Sequence, residues 1–326
     1  MSRIIPAGAV TGIGSLPHAS TAEAIQFVAE LSPEIPFWPQ LPQRSKQELA
    51  VSQGLGILAD LIEPRAESYG YQVKAGRLDA VLATLHRTDG QLTEAHAAGF
   101  SAFMSAVFPS AAAVKGQIEG PITLAAYLFH KDRPFLSDPT LFAAIAFHVS
   151  QTICWQIDRL KPTGLPVLLF IDEPALCLDP DETRLNALAV ALNDARTRGA
   201  VSGLHCCAHR PFEQMCQVKP DILSFDAYEG LERFFTDARA KEFLHNGGIV
   251  AYGLVPTWPS LDSLNPMNLF TRWLTAASLA GDPHELARQA IITATCGLGL
   301  LNPHSATESF QLAQGVGKLI RAFADA

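Results

Sequence analysis

From about Phe100 onward, the sequence alternates short apolar runs with longer segments of helical spacing. Strands that alternate with helices through short turns are typical of right-handed βαβ units and of a parallel sheet. The number of such runs, about eight, predicts an α/β fold of one domain over residues 1–326, a single (β/α)8 TIM barrel. The predicted strands cover residues 10–15, 37–39, 114–119, 166–171, 201–207, 221–226, 249–255 and 291–296.

An open, doubly wound sheet is the alternative for the same alternation. In that fold a G-x-G-x-x-G usually follows the first strand and binds a dinucleotide, and the segment after residue 15 has no such pattern. Polar or thiol residues also recur at the ends of the predicted strands. Only a closed barrel would bring the first and the last of them together, so this pattern favours the barrel.

The composition argues against two classes of partner. The net charge is −8 and no Lys/Arg cluster occurs, which argues against nucleic acid. The N-terminus lacks the apolar region of a signal peptide, and we find no run of the roughly 20 apolar residues that cross a bilayer. The six scattered cysteines are typical of reduced thiols or ligands rather than of a disulfide framework. We therefore expect a cytoplasmic protein without a membrane or nucleic-acid partner.

One predicted strand ends with a histidine and a cysteine two residues apart, His205 and Cys207. Residues two apart in a strand point to the same side, so the imidazole and the thiol would project together. Asp226 and Cys296 end two further predicted strands. If these strands are parallel neighbours, one nitrogen, two sulfurs and one carboxylate converge at one rim. That ligand set suits Zn²⁺, so the sequence predicts a zinc site.

Several short motifs resemble, in the same order, the C-terminal barrel of cobalamin-independent methionine synthase. They are Ile13-Gly14-Ser15-Leu16-Pro17, Glu119-Gly120-Pro121-Ile122-Thr123, Ile171-Asp172-Glu173-Pro174-Ala175-Leu176, His205-x-Cys207 and Cys296-Gly297-Leu298. The likeness covers nearly the whole chain but only one of the two barrels of that enzyme. Single-barrel relatives, sometimes called core methionine synthases, look more similar still.

The resemblance implies a Zn²⁺ ion bound by His205, Cys207, Asp226 and Cys296. Asp226 stands where the family usually has a glutamate, which is one methylene longer. The implied reaction is the transfer of a methyl group to the zinc-bound thiolate of homocysteine, which forms methionine.

The resemblance also implies the substrate-binding residues. Gly14 and Ser15 would hold the carboxylate of homocysteine, Asp172 its amino group, and Glu119 would be a further contact. Tyr127 takes the place of a tryptophan that stacks on the pterin in folate-dependent members.

A second departure from the family concerns the methyl donor. Residues 253–257 read Gly-Leu-Val-Pro-Thr, where the full-length enzyme has D-I-H-S-P with a histidine that handles a proton. The missing histidine, tryptophan and second barrel argue against a polyglutamyl methyltetrahydrofolate donor. Methylcobalamin, or a corrinoid protein as partner, needs no proton for a nitrogen leaving group. We therefore expect a corrinoid donor.

Three alternatives stay open. Coenzyme M or another thiol could replace homocysteine, although Asp172 favours a substrate with an amino group. A uroporphyrinogen decarboxylase-like enzyme would share the barrel, but it should carry arginines near the N-terminus, and the first thirty residues contain only Arg3. A non-catalytic zinc-stabilised module would bind the metal through four protein ligands and lack an amino-acid pocket beside it.

Overall fold

The computed structural model describes residues 5–66, 69–207, 212–257, 261 and 263–326. Within these ranges the strands are β1 Ala9–Val10, β2 Ile62–Pro64, β3 Tyr71–Val73, β4 Val114–Glu119, β5 Leu128–His130, β6 Arg133–Pro134, β7 Val167–Asp172, β8 Val201–Cys206, β9 Ile222–Phe225, β10 Ile249–Val255 and β11 Ala290–Ala294. The α-helices are α1 Thr21–Leu31, α2 Ala50–Gly54, α3 Leu78–Arg87, α4 Ala98–Ser105, α5 Pro121–Tyr127, α6 Pro139–Leu160, α7 Glu182–Thr197, α8 Phe212–Gln217, α9 Ala227–Thr236, α10 Ala238–His245, α11 Pro266–Ala277, α12 Pro283–Arg288 and α13 Pro303–Ala324.

Among the described residues, seven strands form one curled parallel sheet in the order β1-β11-β10-β9-β8-β7-β4. From β7 to β11, strands that follow one another in the sequence are also neighbours in the sheet, and helices lie between them in the chain. The predicted α/β class with a parallel sheet is thereby confirmed. Strands β4 and β10 and helix α6 have the bounds that the sequence predicts.

Residues 37–39, the second predicted strand, do not form a strand with a continuous hydrogen-bond ladder to a described neighbour. The segment 36–40 nevertheless hydrogen-bonds to both edges of the sheet: Trp38 N donates to Lys115 O (3.0 Å) and Gln40 N donates to Gly14 O (3.0 Å). These contacts are isolated parallel bridges. Prolines at positions 36 and 39 have no N–H to donate, which prevents a continuous ladder. The described sheet therefore has one strand fewer than the predicted barrel.

The strands of the central sheet are buried on both faces. The larger apolar core packs the sheet against the helices. A smaller core uses alternate strand residues that point to the other face; its fully or nearly fully buried members are Ile5, Ala9, Ile35, Ala113, Leu168, Phe170, Ile222, Ile249, Ala251 and Ile291. Burial on both faces explains why the strands read as continuous apolar runs.

Residues 47–62 do not form the helix that their spacing suggests. They contain α2 between two short 3-10 helices, Lys46–Glu48 and Gly56–Leu58, and then enter β2. Glycines at 54 and 56 disfavour a longer helix because they carry a high conformational entropy cost. In the Tyr/Gly-rich stretch that follows, Tyr71–Val73 form β3. Strands β2, β3, β5 and β6 form a second, four-stranded sheet that attaches this region to the end of α5.

The sequence of residues 231–246 favours a single helix, but the structure divides this segment between α9 and α10. Asp237 separates them, and its carboxylate caps α10 by accepting hydrogen bonds from Arg239 N (2.9 Å) and Ala240 N (3.0 Å). By contrast, α1 begins where the sequence suggests: the Ser20 hydroxyl accepts a hydrogen bond from Glu23 N (3.3 Å). Such side-chain caps satisfy the N–H groups that the first turn leaves without partners.

Helix α6 belongs to a stretch, Pro139–Thr163, that is long and apolar enough to cross a membrane by length and composition. We expected no such stretch. Half of its most apolar window is buried in the protein, 50%, and α6 packs against α3, α5 and α7. Two of its buried polar groups have internal partners: His148 Nε2 lies 2.7 Å from Gly54 O, and Gln156 Nε2 donates to Gln117 O (3.1 Å). In this structure α6 is a core helix.

Candidate active site at the strand ends

A row of polar side chains crosses four neighbouring strands near their C-terminal ends. The strand registers pair Glu119 with Asp172, Asp172 with His205, and His205 with Ser224. Paired positions of neighbouring strands project their side chains to the same face of a sheet. The four groups therefore form a continuous polar strip on the face opposite the helices.

The carboxyls of Glu119 and Asp172 are nearly buried, with exposures of 8% and 7%. Glu119 Oε2 and Asp172 Oδ1 have no hydrogen-bond partner within the described part of the chain. Burial, followed by the charge of Asp172, raises the pKa of Glu119 well above its usual range. Burial also raises the pKa of Asp172 to about 6, while nearby His205 and Lys115 act in the opposite direction. A cationic group placed between these oxygens would satisfy both.

Glu173, the next residue, has a structural role. Its carboxylate accepts hydrogen bonds from Ile122 N (2.8 Å), Thr123 N (2.9 Å) and Thr123 Oγ1 (2.6 Å). These donors lie in the first turn of α5, where a negative group is favourable. Burial raises the pKa of Glu173 to about 7, against the effect of these hydrogen bonds. Both oxygens of Glu173 are thus hydrogen-bonded, whereas Asp172 Oδ1 has no partner among the described residues.

His205 is held by a hydrogen bond between its Nδ1 and Ser224 Oγ, 2.9 Å apart. The side chain is only 3% exposed. Its other ring nitrogen, Nε2, is buried and makes no hydrogen bond to any described residue. A buried polar atom without a partner costs free energy, which suggests that a ligand or metal completes this site.

Two of the predicted metal ligands, Cys207 and Cys296, lie together beside His205. Each thiol is the largest influence on the pKa of the other, as expected for close neighbours. Cys207 lowers the pKa of Cys296, and the neighbouring His205 lowers it further, against the effect of burial. Cys296 in turn raises the pKa of Cys207, and burial adds to this effect. Cys207 therefore holds its proton more tightly than Cys296 does.

Asp226, the fourth predicted ligand, begins α9 as its N-cap. Its Oδ1 accepts a hydrogen bond from Glu229 N (3.0 Å), and the residue is half-buried. Aspartate is among the favoured capping residues because its short side chain reaches the N–H groups of the first turn. The structure thus assigns Asp226 a role in the helix start. Its predicted role as a zinc ligand stays a prediction.

Gly14 and Ser15, the predicted carboxylate-binding residues, lie beside the loop that carries Cys296. Ser15 Oγ accepts a hydrogen bond from Gly299 N (3.2 Å), and Leu298 N donates to Ser15 O (2.9 Å). Gly14 is buried, and a Cβ added there would lie 2.5 Å from Gln40 Oε1. Glycine is therefore needed at position 14 for space rather than for an unusual backbone conformation.

Tyr127 is half-buried at the end of α5 and contacts a second tyrosine. The rings of Tyr69 and Tyr127 are edge to face with centroids 4.9 Å apart. Tyr69 is 58% exposed, and the charge of Glu119 reaches its hydroxyl and helps to raise its pKa, after burial. Two aromatic rings therefore lie near Glu119 on the exposed side of the strip.

The donor set of His205, Cys207 and Cys296 fits zinc by its chemistry, because zinc prefers nitrogen and sulfur ligands. The unpartnered Nε2 of His205 supports this fit. A preformed geometry is not observed: among the described residues, no group of three or more His, Cys, Asp or Glu side chains is arranged to hold a metal ion. The two thiols interact with each other instead.

Two side chains of this site, Ser224 and Lys115, are not among the residues predicted from the sequence. Ser224 lies two residues before Asp226 and therefore on the same face of its strand. Lys115 lies four residues before Glu119, again on the shared face, and is 1% exposed. The alternation along each strand could have identified both residues once Glu119 and Asp226 were assigned to the rim.

Comparison with known proteins adds no assignment: no family model and no curated protein matches this chain.

Proposed function

We propose that this chain is a zinc-dependent methyltransferase that moves a methyl group to the thiol of homocysteine and forms methionine. The observation that carries the proposal is the buried Nε2 of His205, which has no hydrogen-bond partner at ordinary distance and angle among the described residues and lies close to the thiol of Cys296. Carboxyl oxygens of Asp172 and Glu119 that also lack a partner among those residues lie in the same polar strip. A site for a metal-held sulfur and a site for an amino group are thereby adjacent. The resemblance to the methionine synthase barrel supports the same function.

The proposed fold is a (β/α)8 barrel formed by residues 1–326 as one domain. In this proposal the segment 36–40 is the missing strand, because it hydrogen-bonds to β4 on one side and to Gly14 on the other. Closure would bring Gly14 and Ser15 to the same rim as Asp172. The active sites of such barrels lie at the C-terminal ends of the strands.

The proposed zinc ligands are His205, Cys207, Cys296 and Asp226. Zinc, when bound, would keep a substrate thiol in its thiolate form near neutral pH and so keep it nucleophilic. The Ser224 hydroxyl supports the proposal because it orients the His205 ring through Nδ1 and leaves Nε2 for the metal.

The proposed amino-acid site uses Asp172 and Glu119 for the ammonium group and Gly14 and Ser15 for the carboxylate. Asp172 Oδ1 and Glu119 Oε2 are the acceptors that lack a partner in the described residues. A thiol without an amine, such as coenzyme M, would leave these buried acceptors unsatisfied. Homocysteine, which carries an amino group, is therefore favoured over coenzyme M.

The proposed donor is methylcobalamin or a corrinoid protein, and the proposed location is the cytoplasm. In the transfer, the thiolate sulfur forms a bond to the methyl carbon while the cobalt–carbon bond breaks and its electron pair stays with cobalt. No proton is needed at a leaving nitrogen, which agrees with the absence of a histidine in residues 253–257. Tyr127 would contact the donor at the exposed side of the strip.

The test measures the zinc content of the purified protein and the formation of methionine from homocysteine with methylcobalamin or methyltetrahydrofolate offered separately. We expect about one zinc per chain and methionine from methylcobalamin. Cys207→Ser and Cys296→Ser should lose zinc and activity, whereas Cys177→Ser changes an exposed thiol and should lose neither. Wild-type protein that retains no zinc, or that forms no methionine from either donor, would overturn the proposal.

A further inference from the structure

Lys115 is a buried cation beneath the polar strip. Its side chain is 1% exposed, and Nζ donates hydrogen bonds to Ile13 O (2.7 Å) and to Gln117 Oε1 (3.0 Å). Nζ also lies 4.7 Å from the centroid of the Phe170 ring. A lysine is rarely buried unless partners compensate for its lost hydration. These contacts fix the ammonium group in one position.

The Ile13 carbonyl that Lys115 binds directly precedes Gly14 and Ser15. Lys115 lies on β4, 102 positions away in the sequence, so this hydrogen bond connects two distant parts of the site. Gln117 strengthens the connection, because its Nε2 donates to Trp38 O (2.8 Å). The same amide group lies against Gly14: a Cβ added there would be 2.9 Å from Gln117 Nε2. Lys115 and Gln117 together hold the backbone at Ile13 and Gly14.

Lys115 is also connected to the strand that carries the other half of the amino-acid site. Gln117, which accepts its second hydrogen bond, lies two residues before Glu119 on β4. Lys115, Gln117 and Glu119 alternate along β4 and so share one face, and Glu119 is paired in register with Asp172. One cation therefore connects β4, the strand that ends in Glu119, with the backbone beside the proposed carboxylate-binding residues.

We propose that Lys115 is a positioning residue that holds these two halves in place and gives the site its preference for a zwitterionic α-amino acid thiol over a simple alkyl thiol. This inference rests on the proposed function for its substrate and on the contacts of Lys115 for its mechanism. Lys115 acts through the Ile13 backbone and Gln117 of β4, and it does not touch the substrate itself.

The test compares wild-type protein with Lys115→Met, which keeps most of the side-chain volume and removes the charge and both hydrogen bonds. Ser202→Ala is the matched control: Ser202 is a buried residue on β8 whose hydroxyl hydrogen-bonds to Asp221 (2.8 Å), away from this network. Two readouts are used, the hydrogen exchange of the backbone amides at residues 13–16 and the calorimetric binding of homocysteine and of 2-mercaptoethanol to the zinc-loaded protein.

We expect Lys115→Met to weaken homocysteine binding by about tenfold or more, since hydrogen bonds to charged groups are among the stronger ones. Binding of 2-mercaptoethanol should change less than threefold, and amide exchange at residues 13–16 should rise. Ser202→Ala should show none of these differences. An equal loss for both thiols, or unchanged exchange at residues 13–16, would overturn the inference.

Three further outcomes are distinguished. If Lys115→Met does not fold, Gln117→Leu is measured in the same way; it removes the second acceptor of Lys115, and unchanged selectivity and exchange in that variant would overturn the inference. If the wild type binds homocysteine with the expected selectivity but transfers no methyl group, the proposed reaction fails while the role of Lys115 stands. If it binds neither thiol, both proposals fail.

Discussion

His205 and Ser224 are opposite each other on neighbouring strands, and His205 Nδ1 lies 2.9 Å from Ser224 Oγ. This hydrogen bond fixes the orientation of a ring that is almost completely buried. It leaves Nε2 on the side of the two thiols. A hydroxyl in this position resembles the partners that commonly orient metal-binding histidines from the far side of the ring.

Removal of the hydroxyl should therefore weaken zinc binding. We expect Ser224→Ala to reduce zinc affinity by about 10- to 100-fold, the usual effect of losing such an orienting partner. Competition with a chelator would measure the affinity. Ser202→Ala removes another buried strand serine and should leave zinc affinity unchanged. Equal affinity in wild type and Ser224→Ala would show that the hydroxyl does not support a metal site.

Substitution of Asp226 can separate its capping role from its proposed ligand role. Asp226→Asn keeps a side-chain oxygen for Glu229 N and should retain the helix start, whereas Asp226→Ala should lose about 1 kcal/mol of stability. If Asp226 binds zinc, both variants should retain less zinc, and Asp226→Glu should retain it. Thermal unfolding and metal analysis of the three variants test this. Unchanged zinc content in Asp226→Ala would exclude Asp226 as a ligand.

Gly14 offers a test of the proposed carboxylate site. In Gly14→Ala the added methyl group would lie 2.5 Å from Gln40 Oε1, and Gln40 is itself bound to Gln53 (2.8 Å). The Gln40 side chain or the backbone at residues 13–15 must then move, and we expect KM for homocysteine to rise about tenfold with a smaller change in kcat. Gly281→Ala is the control, because no described atom lies within 4 Å of its added Cβ. A KM equal to that of the control would argue against the site.

Glu173 should make the stability of the protein depend on pH. Its pKa in the folded protein, about 7, is above the usual value of 4.5. The fold therefore favours the protonated form, and this contribution is lost as the pH rises through about 7. Glutamine cannot ionise, so wild type should lose stability relative to Glu173→Gln as the pH rises. We expect the melting temperature of wild type minus that of Glu173→Gln to be largest near about pH 5 and smaller near about pH 8. A difference that grows with pH would contradict this assignment.

The central strands could be predicted because burial on both faces requires continuous apolar runs. The strand over residues 114–119 ends at Glu119 before Gly120-Pro121, and the strand over residues 249–255 ends before Pro256. The structure has the same bounds. The segment 36–40 could not be assigned in this way, since its hydrogen bonds to Lys115 and Gly14 depend on partners far along the chain. The division of α9 and α10 was missed because Asp237 was not recognised as a cap.

The site was only partly predictable for a related reason. His205, Cys207 and Cys296 are unusual residue types at strand ends, and the structure brings their side chains together. Lys115 was missed because lysine is usually exposed, and its burial depends on the Ile13 carbonyl. The capping role of Asp226 was missed because the same carboxylate can serve a helix or a metal.

The most direct test of the proposed metal site is X-ray absorption at the zinc edge of zinc-loaded protein, before and after homocysteine is added. We predict two sulfur ligands to the zinc, from Cys207 and Cys296, together with nitrogen or oxygen ligands. A third sulfur ligand should be detected once homocysteine binds. Cys177→Ser should give the same spectra, because that thiol is exposed. Zinc without sulfur ligands, or a sulfur count that homocysteine does not change, would contradict the account.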